Sequence, residues 1–211
     1  MSKIETQKQK CLTCGKELEV KLWNSINISL SPELKEQVKN FSIFKVKCER
    51  CDKTINLEYK CLYHDMDKNL IIFSVQDSNL DECIQAVKMF AQNGYTIRFV
   101  STNKALSEKV NIFEANLKDT AIEFYKGQIA NELGDMNLVG YTYFNGISKN
   151  DKGQEMINYI VCLNKPKYVA LPKTDFDQIS NALPTNLDDC SKLDGVIVDA
   201  YTVNEWINAL Q

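Results

Sequence analysis

Cys11-Leu12-Thr13-Cys14-Gly15 and Cys48-Glu49-Arg50-Cys51-Asp52 are the two stretches on which the fold of this chain turns. A gap of two residues lets a tight turn aim both thiolates, and the backbone N–H groups between them, at one point. Two such turns complete a tetrahedral shell of four sulfurs. One structural zinc ion on Cys11, Cys14, Cys48 and Cys51 is therefore expected. Free or redox-active thiols and an iron-sulfur cluster are the alternatives that four cysteines leave open. Asp52 stands where such a turn usually has glycine, and Asp tolerates a positive φ better than most residues.

Outward from the knuckles, the 33 residues between Cys14 and Cys48 exceed a minimal zinc ribbon, and their pattern says why. Alternating residues after Cys14 read as strand toward Ile26 and Ile28. Ser31-Pro32-Glu33 then gives a helix start, with Leu34, Val38 and Phe41 on one face of a helix of two to three turns. Ile43 to Lys47 and Ile55 to Tyr59 alternate in the strand period on either side of the second knuckle. The N-terminal unit thus reads as a zinc-ribbon hairpin with an inserted helix.

The rest reads as a mixed α/β body, so the class is α+β. Leu70 to Val75 is a buried strand, a helix follows from Ser78 to Gly94, and Tyr95 to Val100 is a second strand, the order of a parallel crossover. Two helices follow, one with Leu106, Val110 and Phe113, the other with Ile122, Tyr125, Ile129 and Leu133. Strands near 138–147 and 155–163 pair across Asn150-Asp151-Lys152-Gly153. A strand at Tyr168 to Leu171, a helix after Pro172, the run Val196 to Val198 and a last helix with a Thr202/Glu205 capping box complete the chain. The expected divisions are 1–69 for the ribbon, 70–134 for the crossover and two helices, and 135–211 for a C-terminal α/β unit packed with 70–134 as one domain. Arg98, mid-strand, is expected to pair with Glu108 or Glu123 on the following helices.

Composition sets the class. The chain is 44% hydrophobic and 25% charged, which is ordinary for a globular protein and excludes a disordered one. MSKIETQKQK has no apolar core for a signal peptide, and the run Leu70 to Phe73 is far too short for a membrane span. A cytoplasmic location is expected, with no membrane partner. In that reducing compartment the 8 cysteines are not a disulfide framework. The net charge of -3 hides an asymmetry: residues 1–60 carry 12 basic and 8 acidic side chains, and the remainder 13 and 20. A mildly basic N-terminal module precedes an acidic body, which hints weakly at an anionic partner.

With these residues in view, the chain resembles bacterial proteins of the CpXC-domain family. The resemblance is carried by Cys11-Leu-Thr-Cys14-Gly15, Ser25-Ile-Asn27, Pro32-Glu-Leu-Lys35, Ile43-Phe-Lys-Val-Lys-Cys48 and Leu62-Tyr-His-Asp65. It continues through Arg98-Phe-Val100, Leu106-Ser-Glu-Lys-Val110, Asp119 and Ile122-Glu123. It spans roughly 11–130, and the later C-terminal half matches only loosely. The proline for which the family is named is absent from both knuckles, which have Leu12 and Glu49 in its place. That proline stiffens the turn and is no ligand, so the metal site stands. The resemblance implies the metal and supplies no activity.

Catalytic patterns are thin. His64 is the only histidine, so neither a three-histidine catalytic zinc site nor a two-histidine metal motif can be built within one chain. Asp65, Asp67 and Asn69 imitate a calcium loop, but Leu70 stands where its glycine belongs and Gln76 where its bidentate Glu would be; a hairpin turn is expected instead. No glycine-rich phosphate loop occurs. The functional expectation is a zinc-binding interaction module with a protein partner and at most weak, nonspecific nucleic-acid binding. The alternative is an enzyme whose site lies beyond residue 70.

Overall fold

The computed structural model describes residues 2–75, 87, 90–184 and 197–208, and contacts divide the chain into two units, Met1–Ser107 and Glu108–Gln211. Most of the helix expected between Ser78 and Gly94 lies outside the described residues; its end at 90–92 is helical and is closed by Gly94 at φ 77°. Val196 and Leu210 also lie outside them. Among the described residues no helix is long and apolar enough to cross a membrane.

The first unit is organised by a five-stranded sheet. β1 (Lys3–Lys10) pairs antiparallel with β2 (Glu17–Asn27), so the first knuckle is the turn of a hairpin. On β2 the alternation is real: Leu18, Val20 and Leu22 are buried while Glu17, Glu19 and Lys21 are exposed. β1 has no such alternation, and all eight of its residues are exposed. β2 then runs parallel to β5 (Cys61–Asp65), which pairs antiparallel with β6 (Leu70–Ser74), itself parallel to β7 (Thr96–Val100). The parallel pairing of the last two is the expected crossover. The strand order is β1-β2-β5-β6-β7. A division at 69/70 would cut the β5–β6 hairpin at its turn. That turn is held by Asp65, whose buried Oδ1 accepts from the backbone N–H of Asp67 and of Lys68, both at 3.1 Å. Asn69 closes it at φ 48°. The acidic run is thus a hairpin turn.

Between β2 and the second knuckle, α1 (Leu34–Lys39) buries Leu34 and Val38 as the spacing requires. It is only six residues long and Glu33, not Ser31, is its cap. Phe41 ends the segment by taking a left-handed backbone at φ 63°, so it cannot extend the helical face. A short 3₁₀ turn at Ser42–Phe44 leads into β3 (Lys45–Lys47), which pairs antiparallel with β4 (Thr54–Asn56) around the second knuckle.

α2 (Asn103–Glu114) crosses the division between units. The second unit continues with α3 (Asp119–Glu132) and a three-stranded sheet of β8 (Thr142–Lys149), β9 (Glu155–Val161) and β10 (Lys167–Pro172). α4 (Lys173–Ala182) and α5 (Ala200–Asn208) follow. β9 is central, with Lys149 opposite Glu155 at the hairpin predicted around Asn150 to Gly153. Ile157, Tyr159 and Val161 alternate onto the face that packs with Ile122, Ile129 and Phe176. The last helix starts earlier than expected: Asp199 Oδ1 accepts from Thr202 N at 2.8 Å, so Asp199 is the cap and Thr202 lies in the first turn.

The polar core of this unit holds a buried charge cluster. Lys109 Nζ donates to Asp119 Oδ2 at 3.0 Å, Glu123 Oε1 at 2.9 Å and the carbonyl of Val198 at 2.7 Å. Lys126 Nζ bridges Glu108 Oε2 at 2.8 Å and Glu123 Oε1 at 3.1 Å, and the other oxygen of Glu108 accepts from Phe144 N at 2.6 Å. Every one of these five side chains is buried. The carboxylates of Glu108 and Glu123, expected to answer Arg98, therefore have lysine partners within their own unit. Arg98 itself is buried on β7, and its Nη1 donates to the carbonyl of Ile97 at 2.9 Å.

Candidate metal centre

Each knuckle is bent by the same pair of backbone bonds. Cys11 N donates to Lys16 O and Gly15 N to Cys11 O; Cys48 N donates to Lys53 O and Asp52 N to Cys48 O, all four at 2.8 Å. Gly15 has φ 72° and Asp52 φ 60°, so aspartate does adopt the left-handed position that glycine fills in the first turn. Lys47 Nζ, 2.7 Å from Asp52 Oδ1, holds that side chain on the hairpin. Leu12, the first residue inside the turn, points into solvent at 95% exposure. Nothing in the turn depends on its side chain.

These turns bring all four sulfurs to one place. The Sγ atoms of Cys11, Cys14, Cys48 and Cys51 lie within 4.8 Å of one another. The contacts between hairpins are 3.7 Å for Cys11 to Cys51 and 3.6 Å for Cys14 to Cys48. Bonds of about 2.3 Å from a tetrahedral ion would set its sulfurs about 3.8 Å apart, whereas a disulfide would draw two of them to about 2.05 Å. The four cysteines can hold a metal ion. They also sit in the apolar core of the unit, with Leu18, Val20, Leu22 and Leu57 around them.

The electrostatics point the same way. The Cys11 thiol is pulled down to about 6, first by the backbone N–H of Cys14 and then, against burial, by that of Thr13. Cys48 is lowered in the same manner by the N–H of Cys51. Cys51 shows the cost of crowding: the N–H of Lys53 favours its thiolate, but burial and the sulfurs of Cys48, Cys11 and Cys14 push it up to about 12. Four thiolates at this spacing need a cation among them to ionise together. Cys61 contrasts with them, since burial alone raises it to about 12 and leaves an inert thiol.

His64 stands apart from this centre. It is half-buried on β5, with Nε2 3.4 Å from the hydroxyl of Tyr95 and its ring against Phe90 and Tyr95. Burial lowers its pKa, so the ring is neutral near pH 7. Among the described residues the metal-capable cluster consists of the four cysteines alone.

The family described as CpXC protein matches residues 9–126. The chain belongs to the CpXC family. The match begins just before the first knuckle and ends inside α3, so the CpXC region takes in both cysteine hairpins and the whole five-stranded sheet apart from most of β1. No curated protein and no solved structure matches this CpXC chain. Sequence reasoning found all four cysteines because their geometry is local. It missed the buried lysines 109 and 126, whose significance depends on helices that meet only in the fold.

Proposed function

We propose that this CpXC protein is a binding module whose N-terminal unit is built on one structural zinc ion, held by Cys11, Cys14, Cys48 and Cys51. The observation that carries the reading is the pair of sulfur separations across the two hairpins, 3.7 Å and 3.6 Å, close to the edge of a tetrahedral tetrathiolate shell. Zinc suits the site because four cysteines in two tight turns form a closed tetrahedral set. Such a set leaves no position for a bound water, and its formal charge of about -2 with zinc makes the ion a poor Lewis acid. The ion then serves the fold, and function falls to the surface the hairpins present.

The partner most compatible with that surface is another protein. Nucleic-acid binding, if tested at low salt, is expected to be weak, steeply salt-dependent and indifferent to sequence, because the chain is acidic overall, with a net charge of -3. Tight, sequence-selective binding that survives elevated salt would contradict this. An enzymatic reading would draw on the buried charges of the second unit. There, however, all three donor positions of Lys109 are engaged by protein acceptors, which leaves that ammonium nothing for a substrate.

Elemental analysis of the purified full chain tests the metal. About one zinc per chain is expected in the wild type and in His64→Ala, whose ring is occupied with Tyr95 rather than with the cluster. Release of the ion in His64→Ala, or iron in place of zinc, would refute the assignment.

A further inference from the structure

The outer edge of β1 is the feature that the metal does not explain. β1 is the end strand of its sheet, eight residues long, and every one of them is exposed. An end strand presents a row of N–H and C=O groups that another strand can pair with, and natural edge strands are usually short, charged, bulged or covered. Its one register shift, between Lys3 and Ile4, lies at the extreme start and leaves the remainder regular.

A second observation lies beside that edge. Gln7 and Gln9 stand opposite Val20 and Leu18, on the sheet face where β2 is buried. The segment Leu57 to Lys60 crosses this face, and between them runs a groove of about 500 Å³ whose walls include Gln7, Gln9, Val20, Tyr59 and the opposed charges Glu58 and Lys60. Tyr59 is fixed there by accepting from Trp23 N at 3.3 Å. A strand added to β1 would place alternate side chains over this groove and the others beside Lys8 and Lys10.

Charge selects the occupant. β1 carries Lys3, Lys8 and Lys10 against one acid, Glu5. Glu5 is engaged by Gln7 Nε2 at 3.0 Å and Asn24 Nδ2 at 3.2 Å. Lys8 Nζ reaches Glu17 Oε1 at 2.8 Å on the β2 side with both side chains still exposed, and Lys10, opposite Glu17 in register, has no ion pair of its own among the described residues, so both flanks stay open to an incoming strand. A second copy of β1 would bring the same positive excess and is disfavoured; an acidic strand extends the alternation of charge from β2 through β1. We infer that β1 is a docking edge for an extended acidic peptide of a partner protein, which adds to the sheet as a further strand with alternate side chains over the adjoining groove. This inference rests on reading the chain as a binding module and does not depend on which metal the cysteines hold.

The test uses the full, metal-loaded chain and an acetylated, amidated peptide of alternating glutamate and threonine, as long as β1, with its lysine-for-glutamate counterpart as control. The acidic peptide is expected to bind, to slow amide hydrogen exchange within residues 3–10 and to lose affinity as salt is raised. Lys3→Glu with Lys8→Glu should weaken it about tenfold, or about 1.4 kcal/mol, while leaving the metal content unchanged. Equal binding of both peptides, unchanged exchange in β1, or protection of β1 that grows with protein concentration in the absence of peptide would overturn the inference; the last result would assign the edge to a second copy. Because zinc content is measured on the same samples, failure here and failure of the metal assignment are separate results.

Discussion

Cys48→Ser is expected to lose the metal and to loosen the two cysteine hairpins while the chain beyond residue 70 stays largely folded, and Cys14→Ser should do the same. The two cysteines face each other across the hairpins at 3.6 Å, so either change opens the shell on the side where β1–β2 and β3–β4 are joined. Structural zinc sites contribute about 10 to 16 kcal/mol of apparent binding energy, and a whole domain is stable by only about 5 to 15 kcal/mol. The second hairpin has little else to hold it, since β3 and β4 are three residues each and none of their residues is fully buried. Loss should be visible as absent zinc and early hydrogen exchange across residues 11–57, with residues beyond 70 keeping their protection. Full retention of zinc in Cys48→Ser would refute the four-sulfur shell. A chelator strong enough to strip the ion should reproduce the variant in the wild type.

The second large effect is expected at Lys109. Its ammonium joins α2 to two carboxylates of α3 and to the carbonyl of Val198 just ahead of α5. Lys109→Met would remove the ammonium that Asp119 and Glu123 share in the buried cluster. Removing one partner of a buried ion pair costs about 3 to 5 kcal/mol. Denaturant titration should show that loss, and limited proteolysis should show the segment before α5 opening first. Replacing Lys109 and Asp119 together by apolar residues of similar size should recover much of it, because paired removal leaves fewer uncompensated charges. A Lys109→Met chain as stable as the wild type would mean that water reaches the cluster.

The same cluster predicts an acid limb. Burial alone would raise Glu123, but Lys109 and Lys126 outweigh it and hold its carboxyl below the ordinary range. A folded value below the unfolded one stabilises above the unfolded pKa of about 4.3 and is lost as pH falls through the depressed value. Glu108 has the opposite sign, since burial raises it despite Lys126; its contribution favours acid and fades as pH rises through the raised value. Glu123→Gln should therefore flatten the fall in stability below about pH 4. An unchanged acid limb in that variant would show that Glu123 titrates alike in both states.

What the sequence determined is what a few neighbouring residues can decide. Each Cys-x-x-Cys turn closes by bonds reaching no more than five residues, from Cys11 N to Lys16 O and from Cys48 N to Lys53 O, so the cluster of four cysteines could be read before any fold was known. The positive φ at Asp52, the Asp65 turn and the β8–β9 hairpin were legible for the same reason. The tertiary structure decided the rest. β1 has no apolar alternation to read, since it is a strand only because β2 pairs with its backbone. The lysines that hold Glu108 and Glu123 come from the packing of α2 against α3, which no local pattern announces. The link from Lys109 to Val198 spans 89 residues. Burial made these pairings compulsory, because a charge withdrawn from water must find its partner wherever the chain brings one.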